Sequence, residues 1–172
     1  MKKKILFLLI LLLPFMVSAE EIKMEWQKSW GGNGSDEFIG AIPTKENGFI
    51  EFGYFCSTDI DDLQNSGDCD SLILKYDEKG NILWKKRLGN DKTIEIKKVQ
   101  STLDEGFVIM SNSSSKNNQN QYDIIMTKYD KDGNQMWENI IGANEWNESI
   151  DMALLPNGDF IVCIQTSLTN IY

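Results

Sequence analysis

Histidine is absent from the 172 residues, and proline and cysteine each occur only three times. The missing histidine removes the commonest general base and the commonest zinc ligand together. It also excludes Ser-His-Asp and Cys-His arrangements. The chain has no HExxH, no CxxC and no glycine loop placed to cradle a phosphate. Gly31-Gly32-Asn33-Gly34 follows a strand but precedes no helix, so it reads as a turn. Acidic residues are numerous enough to supply a glycosidase acid and base, yet nothing singles out a pair. The sequence therefore nominates no catalytic, cofactor-binding or metal-binding residue and calls for no cofactor. Sustained helical periodicity is also missing from everything beyond the first 19 residues.

Basic residues are in short supply, 17 against 26 acidic, and three of them stand at the start. Lys2-Lys3-Lys4 precede an unbroken apolar run from Ile5 to Leu13; Pro14 then interrupts it, and Val17-Ser18-Ala19 offers the small residues a signal peptidase reads. The apolar stretch Ile5 to Val17 is 13 residues, short of the roughly 20 that a spanning helix needs. Residues 1–19 are expected to be a signal peptide cleaved after about Ala19, giving a secreted or extracytoplasmic protein with no stable membrane span. No Cys lies near the cleavage site to carry a lipid. The remaining 153 residues, the size of one domain, hold 14 basic and 26 acidic side chains, a net charge of −12. Such a chain repels phosphate backbones, which argues against nucleic acid and leaves cations, basic proteins or neutral glycans. A charge kept for solubility is the plainer reading.

What is present is a repeat. Lys75-Tyr76-Asp77, Gly80-Asn81 and Trp84 recur with identical internal spacing as Lys128-Tyr129-Asp130, Gly133-Asn134 and Trp137. Trp26, Trp84 and Trp137 lie 58 and 53 residues apart, each followed by a turn: Glu46-Asn47-Gly48-Phe49, Asp104-Glu105-Gly106-Phe107 and Pro156-Asn157-Gly158-Asp159-Phe160. Gly48 to Lys75 is 27 residues and Gly106 to Lys128 is 22, so the extra five fall between Phe49 and Lys75, around Cys56 and Cys69. A period this long marks a repeat architecture.

Within a unit four short strands are expected: Trp84 to Leu88, Glu95 to Ser101, Phe107 to Ser111, and the nearly continuous apolar run Asp123 to Tyr129. Asp104-Glu105-Gly106 and the Gly-Asn pairs supply positive-φ turn positions. The expected fold is all-β: tandem four-stranded antiparallel blades, propeller-like, in units of about 24–83, 84–136 and 137–172. The third unit stops at Tyr172 after its third strand, so about two and a half units form an incomplete ring, as in a truncated piece of a longer repeat protein. The in-register Trp residues are expected to pack between neighbouring blades, leaving Trp30 and Trp146, which break the repeat, as contact residues.

The pattern Lys-Tyr-Asp-x-x-Gly-Asn-x-x-Trp followed by Gly-Phe turns resembles the repeat of secreted bacterial β-propeller proteins, over essentially residues 24–172. That resemblance implies blade architecture and is nearly silent on activity. Asp77-x-x-Gly80-x-x-x-Trp84 and Asp130-x-x-Gly133-x-x-x-Trp137 more weakly resemble the tryptophan-docking motif of quinoprotein dehydrogenases, which would imply a redox cofactor. Lys79 and Asp132 stand where that motif carries Thr.

Cys56 and Cys69 flank the lengthened loop, and a disulfide between them is expected for an exported chain, two free thiols being the alternative. Cys163 aligns with Met110 and Phe52 and is expected to be a buried core thiol. Asp59, Asp61, Asp62, Asp68 and Asp70 could gather around Ca²⁺, but they lack the spacing of a calcium loop and read as a solvated acidic loop. Asp130-Lys131-Asp132-Gly133 reads as a hairpin turn, and Ser111 to Gln121 as a flexible exposed loop. Asn112-Ser113-Ser114 and Asn147-Glu148-Ser149 match glycosylation acceptors. The functional expectation is a secreted, non-enzymatic scaffold binding an unknown protein or glycan. The alternatives are a fragment of an exported propeller enzyme, quinoprotein-like or hydrolytic, and a β-array that self-associates through open blade edges.

Overall fold

The computed structural model describes Met24 and residues 26–60, 69–89, 92–115, 118–141 and 147–166. The segment read as a signal peptide, together with Trp146, Asp61, Asp62 and Asp68, lies outside the described residues. Ten strands and no helix make the described chain all-β. They are β1 (Glu37–Pro43), β2 (Phe49–Phe55), β3 (Asp70–Tyr76), β4 (Ile82–Leu88), β5 (Lys92–Ser101), β6 (Phe107–Ser115), β7 (Asn118–Tyr129), β8 (Gln135–Ile141), β9 (Asn147–Leu154) and β10 (Phe160–Thr166). β1 to β4 form a first antiparallel sheet in chain order, β5 to β8 a second, and β9 and β10 a two-stranded third. None of the described sheets closes on itself.

The sheets are out of phase with the sequence unit. Each four-stranded sheet takes its last strand, the one carrying Trp84 or Trp137, from beyond the turn that ends the Lys-Tyr-Asp strand. The hairpin across Asp77 to Asn81 makes β4 the immediate neighbour of β3, so the Trp strand closes the sheet before it. β6 and β7 also run longer than the apolar pattern indicates. Ser111 to Ser114 belong to β6 and are buried, a correction to the flexible loop expected from Ser111 onward. Their small side chains fit beneath neighbouring strands while their backbone continues the ladders to β5 and β7. Asn112 and Asn147 are buried with them, which removes both candidate glycosylation acceptors from the surface.

Successive sheets pack face to face. Ile50, Phe52 and Ile73 of the first sheet meet Ile96, Val99, Phe107, Ile109 and Tyr129 of the second. Val108, Met110, Ile124 and Met126 on the second sheet's other face meet Met152, Phe160 and Val162 of the third. Polar ties fix the first joint: Ser71 Oγ donates to the Ile94 carbonyl, Lys75 Nζ to that of Lys131 (3.0 Å) and Lys86 Nζ to that of Gly133 (2.6 Å). At the second joint Asn112 Oδ1 accepts from both the Ser149 N–H (3.0 Å) and its hydroxyl (2.7 Å). Cys163 is exposed, against the expectation of a core thiol. It does occupy the strand position of Met110 and Phe52, but those two are covered by the next sheet, and no described residue covers the outer face of β10.

Candidate functional site: an aromatic cleft on the first sheet

The other face of the first sheet carries a smaller core of Phe55, Leu72, Leu74 and Tyr76, with Trp30, Phe38, Phe49 and Ile60 packed on it. Residues 26–30 pair with no strand and lie over this face. Trp26 stacks on Phe49 (centroids 5.8 Å, 22° between planes), and Phe49 on Tyr76 (4.5 Å, 13°). Lys28 Nζ ties the segment down by donating to the Gly80 carbonyl (2.7 Å) and to Asn81 Oδ1 (3.2 Å). The second sheet repeats this arrangement. Trp84 stacks over Phe107 (6.4 Å), Phe107 on Tyr129 (5.2 Å), and Lys86 holds Gly133. Residues 26–30 thus lie on the first sheet as β4 does on the second.

Trp30 extends the wall, tilted against Phe38 (5.9 Å) and Phe55 (5.7 Å). The result is an open cleft of about 390 Å³ with Trp26, Trp30, Phe38, Phe49 and Tyr76 on its walls and Glu51 and Lys28 as its charged groups. Trp30 is therefore a half-buried wall residue. Trp26, expected to be only a packing residue, keeps 42 % of its surface exposed.

Behind the cleft, Asp36 fastens the glycine turn to the disulfide. Its carboxylate accepts from the N–H groups of Gly32 (2.9 Å), Cys56 (2.9 Å) and Ser57 (3.0 Å) and from the Ser57 hydroxyl (2.5 Å). Burial works to raise this carboxyl, but those hydrogen bonds outweigh it and hold it below the usual range. Cys56 and Cys69 form the expected disulfide. The acidic loop divides: Asp59 is exposed and accepts from the Asn33 N–H (2.8 Å), whereas Asp70 lies buried in β3 beside Arg87 (2.6 Å). Among the described residues no three His, Cys, Asp or Glu side chains converge as a metal site.

Glu51 is the residue that sequence reasoning missed. It is half-buried on β2, and the phenol of Tyr76, diagonal to it on β3, donates to its carboxylate. Burial pushes the Glu51 carboxyl up, and the Tyr76 hydrogen bond offsets only part of that rise. Burial and the neighbouring Glu51 push the Tyr76 phenol up as well. No ion pair joins Glu51 to a Lys or Arg among the described residues. Aligning the three strands that follow the turns (Phe49–Phe55, 107–113 and 160–166) sets Glu51 against Ile109 and Val162, and makes it their one charged residue. That departure is legible in the sequence once the turn glycines fix the register.

No protein-family model matches the chain, and no curated protein matches it in sequence.

Proposed function

We propose that this is an exported, non-enzymatic, β-propeller-like repeat protein that serves as an interaction scaffold, with the aromatic cleft of the first sheet as its contact site. The observation that carries the reading is the change of chemistry at that cleft. Trp30, Phe38 and Glu51 stand where the second repeat has Leu88, Ile96 and Ile109, and Ile96 and Ile109 are sealed in the first joint. Two aromatic rings and a carboxylate in place of three aliphatic side chains suit a site that holds a ligand rather than another copy of the same sheet. The propeller-like part rests on four-stranded antiparallel sheets stacked through a repeated joint. The exported part rests on the signal-like N-terminus and the Cys56–Cys69 disulfide. Among the described residues, no helix is long and apolar enough to cross a membrane.

The test is a ligand screen of the purified chain, against glycans and basic peptides, read by tryptophan fluorescence. A saturable response that is lost in Trp30→Leu, with the circular dichroism unchanged, is expected. A screen without hits, or hits indifferent to Trp30→Leu, would remove the cleft as the contact site.

A second reading, self-association, is favoured by the outer face of the third sheet. Ile161 and Cys163 lie exposed there at positions equivalent to Val108 and Met110, which the third sheet covers on the second.

A further inference from the structure

We propose that the cleft binds an organic ammonium cation, its alkyl groups against the aromatic walls and its charge facing Glu51. The inference rests on the reading of the cleft as a contact site and names the chemistry that would fill it.

A half-buried carboxylate without a cation partner is costly, and neighbours that cannot screen it make it more so. Among the described residues Glu51 has one donor, the Tyr76 phenol, and it shares the cleft mainly with rings and apolar side chains, Lys28 and Ser29 being the other polar groups. The same position is Ile109 in the second repeat, buried without any such cost. A cation arriving in the cleft would supply the missing partner. Burial that raises the Glu51 carboxyl has the same cause, an ionised group short of solvent and of counter-charge.

The walls favour an alkylated ammonium over other cations. Aromatic faces attract a diffuse cation through their quadrupole, and an alkylammonium gives up its water more readily than a metal ion or a bare ammonium. Lys28 is not an internal substitute: its ammonium is spent on the Gly80 carbonyl and Asn81 at the rim. A neutral sugar fits less well, because it brings many hydroxyls to a cleft whose polar side chains are few, Lys28, Ser29, Glu51 and Tyr76. The acidic balance of the chain, 26 acidic against 17 basic residues, draws cations toward it over longer range.

The experiment is a fluorescence and calorimetric titration of the full chain with choline, against 3,3-dimethyl-1-butanol, its uncharged isostere, at matched ionic strength. Choline is expected to bind saturably and the isostere at least about tenfold more weakly, the charge-dependent part of a cation–aromatic contact plus the Glu51 pair. Glu51→Gln and Glu51→Ile are expected to lose at least about tenfold in choline affinity while leaving the fold intact, since Ile is what the second repeat carries there. A trimethyl-lysine peptide run in parallel tells a protein-borne cation from a free one; binding by either supports the inference. Equal binding of choline and the isostere, affinity unchanged in Glu51→Gln, or no saturable response to either cation would overturn it. A neutral glycan that binds wild type, is lost in Trp30→Leu and ignores Glu51→Gln would keep the contact site and overturn the ammonium.

Discussion

Lys75 and Lys128 head the repeated block, and each turns its buried ammonium toward an acid in the turn that opens the neighbouring strand, β2 or β6: Glu46 at 3.2 Å and Asp104 at 2.7 Å. Tyr76 and Tyr129 stack on Phe49 and Phe107. Asp77 and Asp130 accept from backbone N–H groups across the following turn and from the Asn81 and Asn134 amides. Gly80 and Gly133 sit at φ of 72° and 80° with a tryptophan ring against them, where a Cβ would be strained and crowded. Lys, Tyr, Asp, Gly and Asn of the block thus hold the same architectural places in both copies, which is why the block announces a fold and says nothing of a ligand, although Tyr76 also lines the cleft. The turn before β6 holds a correction. Its positive φ falls on Glu105 (70°), whereas Gly106 is needed because a Cβ there would lie 2.3 Å from the Tyr129 carbonyl oxygen. The equivalent residues of the other two turns are Asn47 and Gly158, both suited to that conformation. Glu105→Gly would relieve strain but return most of the gain as unfolded-chain entropy. Glu105→Asn avoids that loss and is expected to stabilise by about 0.5–1 kcal/mol, reduced slightly by losing the exposed pair with Lys45. Urea denaturation of the two variants checks it, and an unchanged or lower midpoint for Glu105→Asn would mean the turn is not strained.

Strands were legible where the repeat and the apolar pattern agreed, and less so where polar side chains were folded inward. The run Ser111-Asn112-Ser113-Ser114 has loop composition, yet it is buried strand because neighbouring ladders and the Asn112–Ser149 bonds satisfy it. Cys163 is the opposite case: the repeat gives its position in the strand, but burial is set by the sheet that covers it. Asp159 shows the same dependence. It stands where Gly48 and Gly106 are required, and no described strand beside β10 brings a carbonyl against it. Two element-level outcomes follow from the joints. Trp84 links β4 to the second sheet through Phe107, and its indole N–H has no partner among the described residues. Trp84→Phe should therefore cost under about 1 kcal/mol and Trp84→Ala about 2 or more, the side chain being half-buried. Thermal melts would show the split; equal losses would place the hydrogen-bonding edge, not the ring, in control. The disulfide closes the end of the β2–β3 hairpin, with 13 residues of separation. The Cys56→Ser, Cys69→Ser double variant is expected to lose about 2–3 kcal/mol. Reductant should lower the melting temperature of wild type but not of the variant.

Across the molecule, acidic groups set the response to pH. Asp104 is held down at about 2, first by the hydrogen bond from Lys128, then by Thr102. Asp77 and Asp130 lie below the ordinary carboxylate range through their bonds to Asn81 and Asn134, and Asp151 does so through Lys98. A carboxyl depressed by folding contributes stability that is complete above its unfolded value, near 3.8, and is lost as pH falls toward 2. Glu51 runs the other way, since its raised carboxyl favours the folded state once protonated. Five depressed aspartates, Asp36 included, against one raised glutamate among the described residues predict net loss of stability below about pH 4, measurable as a falling melting temperature. The two ends of the sheet stack then respond differently to solvent. The first sheet is covered by its own residues 26–30, whereas the third presents Ile150 (55 % exposed), Ile161 (57 %) and Cys163 to water. The equivalent face of each earlier sheet is buried by the sheet that follows. If that face drives association, Ile161→Lys should shift the purified chain toward monomer in size-exclusion chromatography with light scattering, leaving β-content by circular dichroism unchanged, because the position already touches solvent. Cys163→Ser separates apolar docking from an intermolecular disulfide: association through the face survives it, whereas a thiol-linked dimer disappears with it and with reductant. A wild-type chain that is monomeric at all concentrations would show that the exposed face is tolerated and leave the cleft at the other end as the molecule's contact surface.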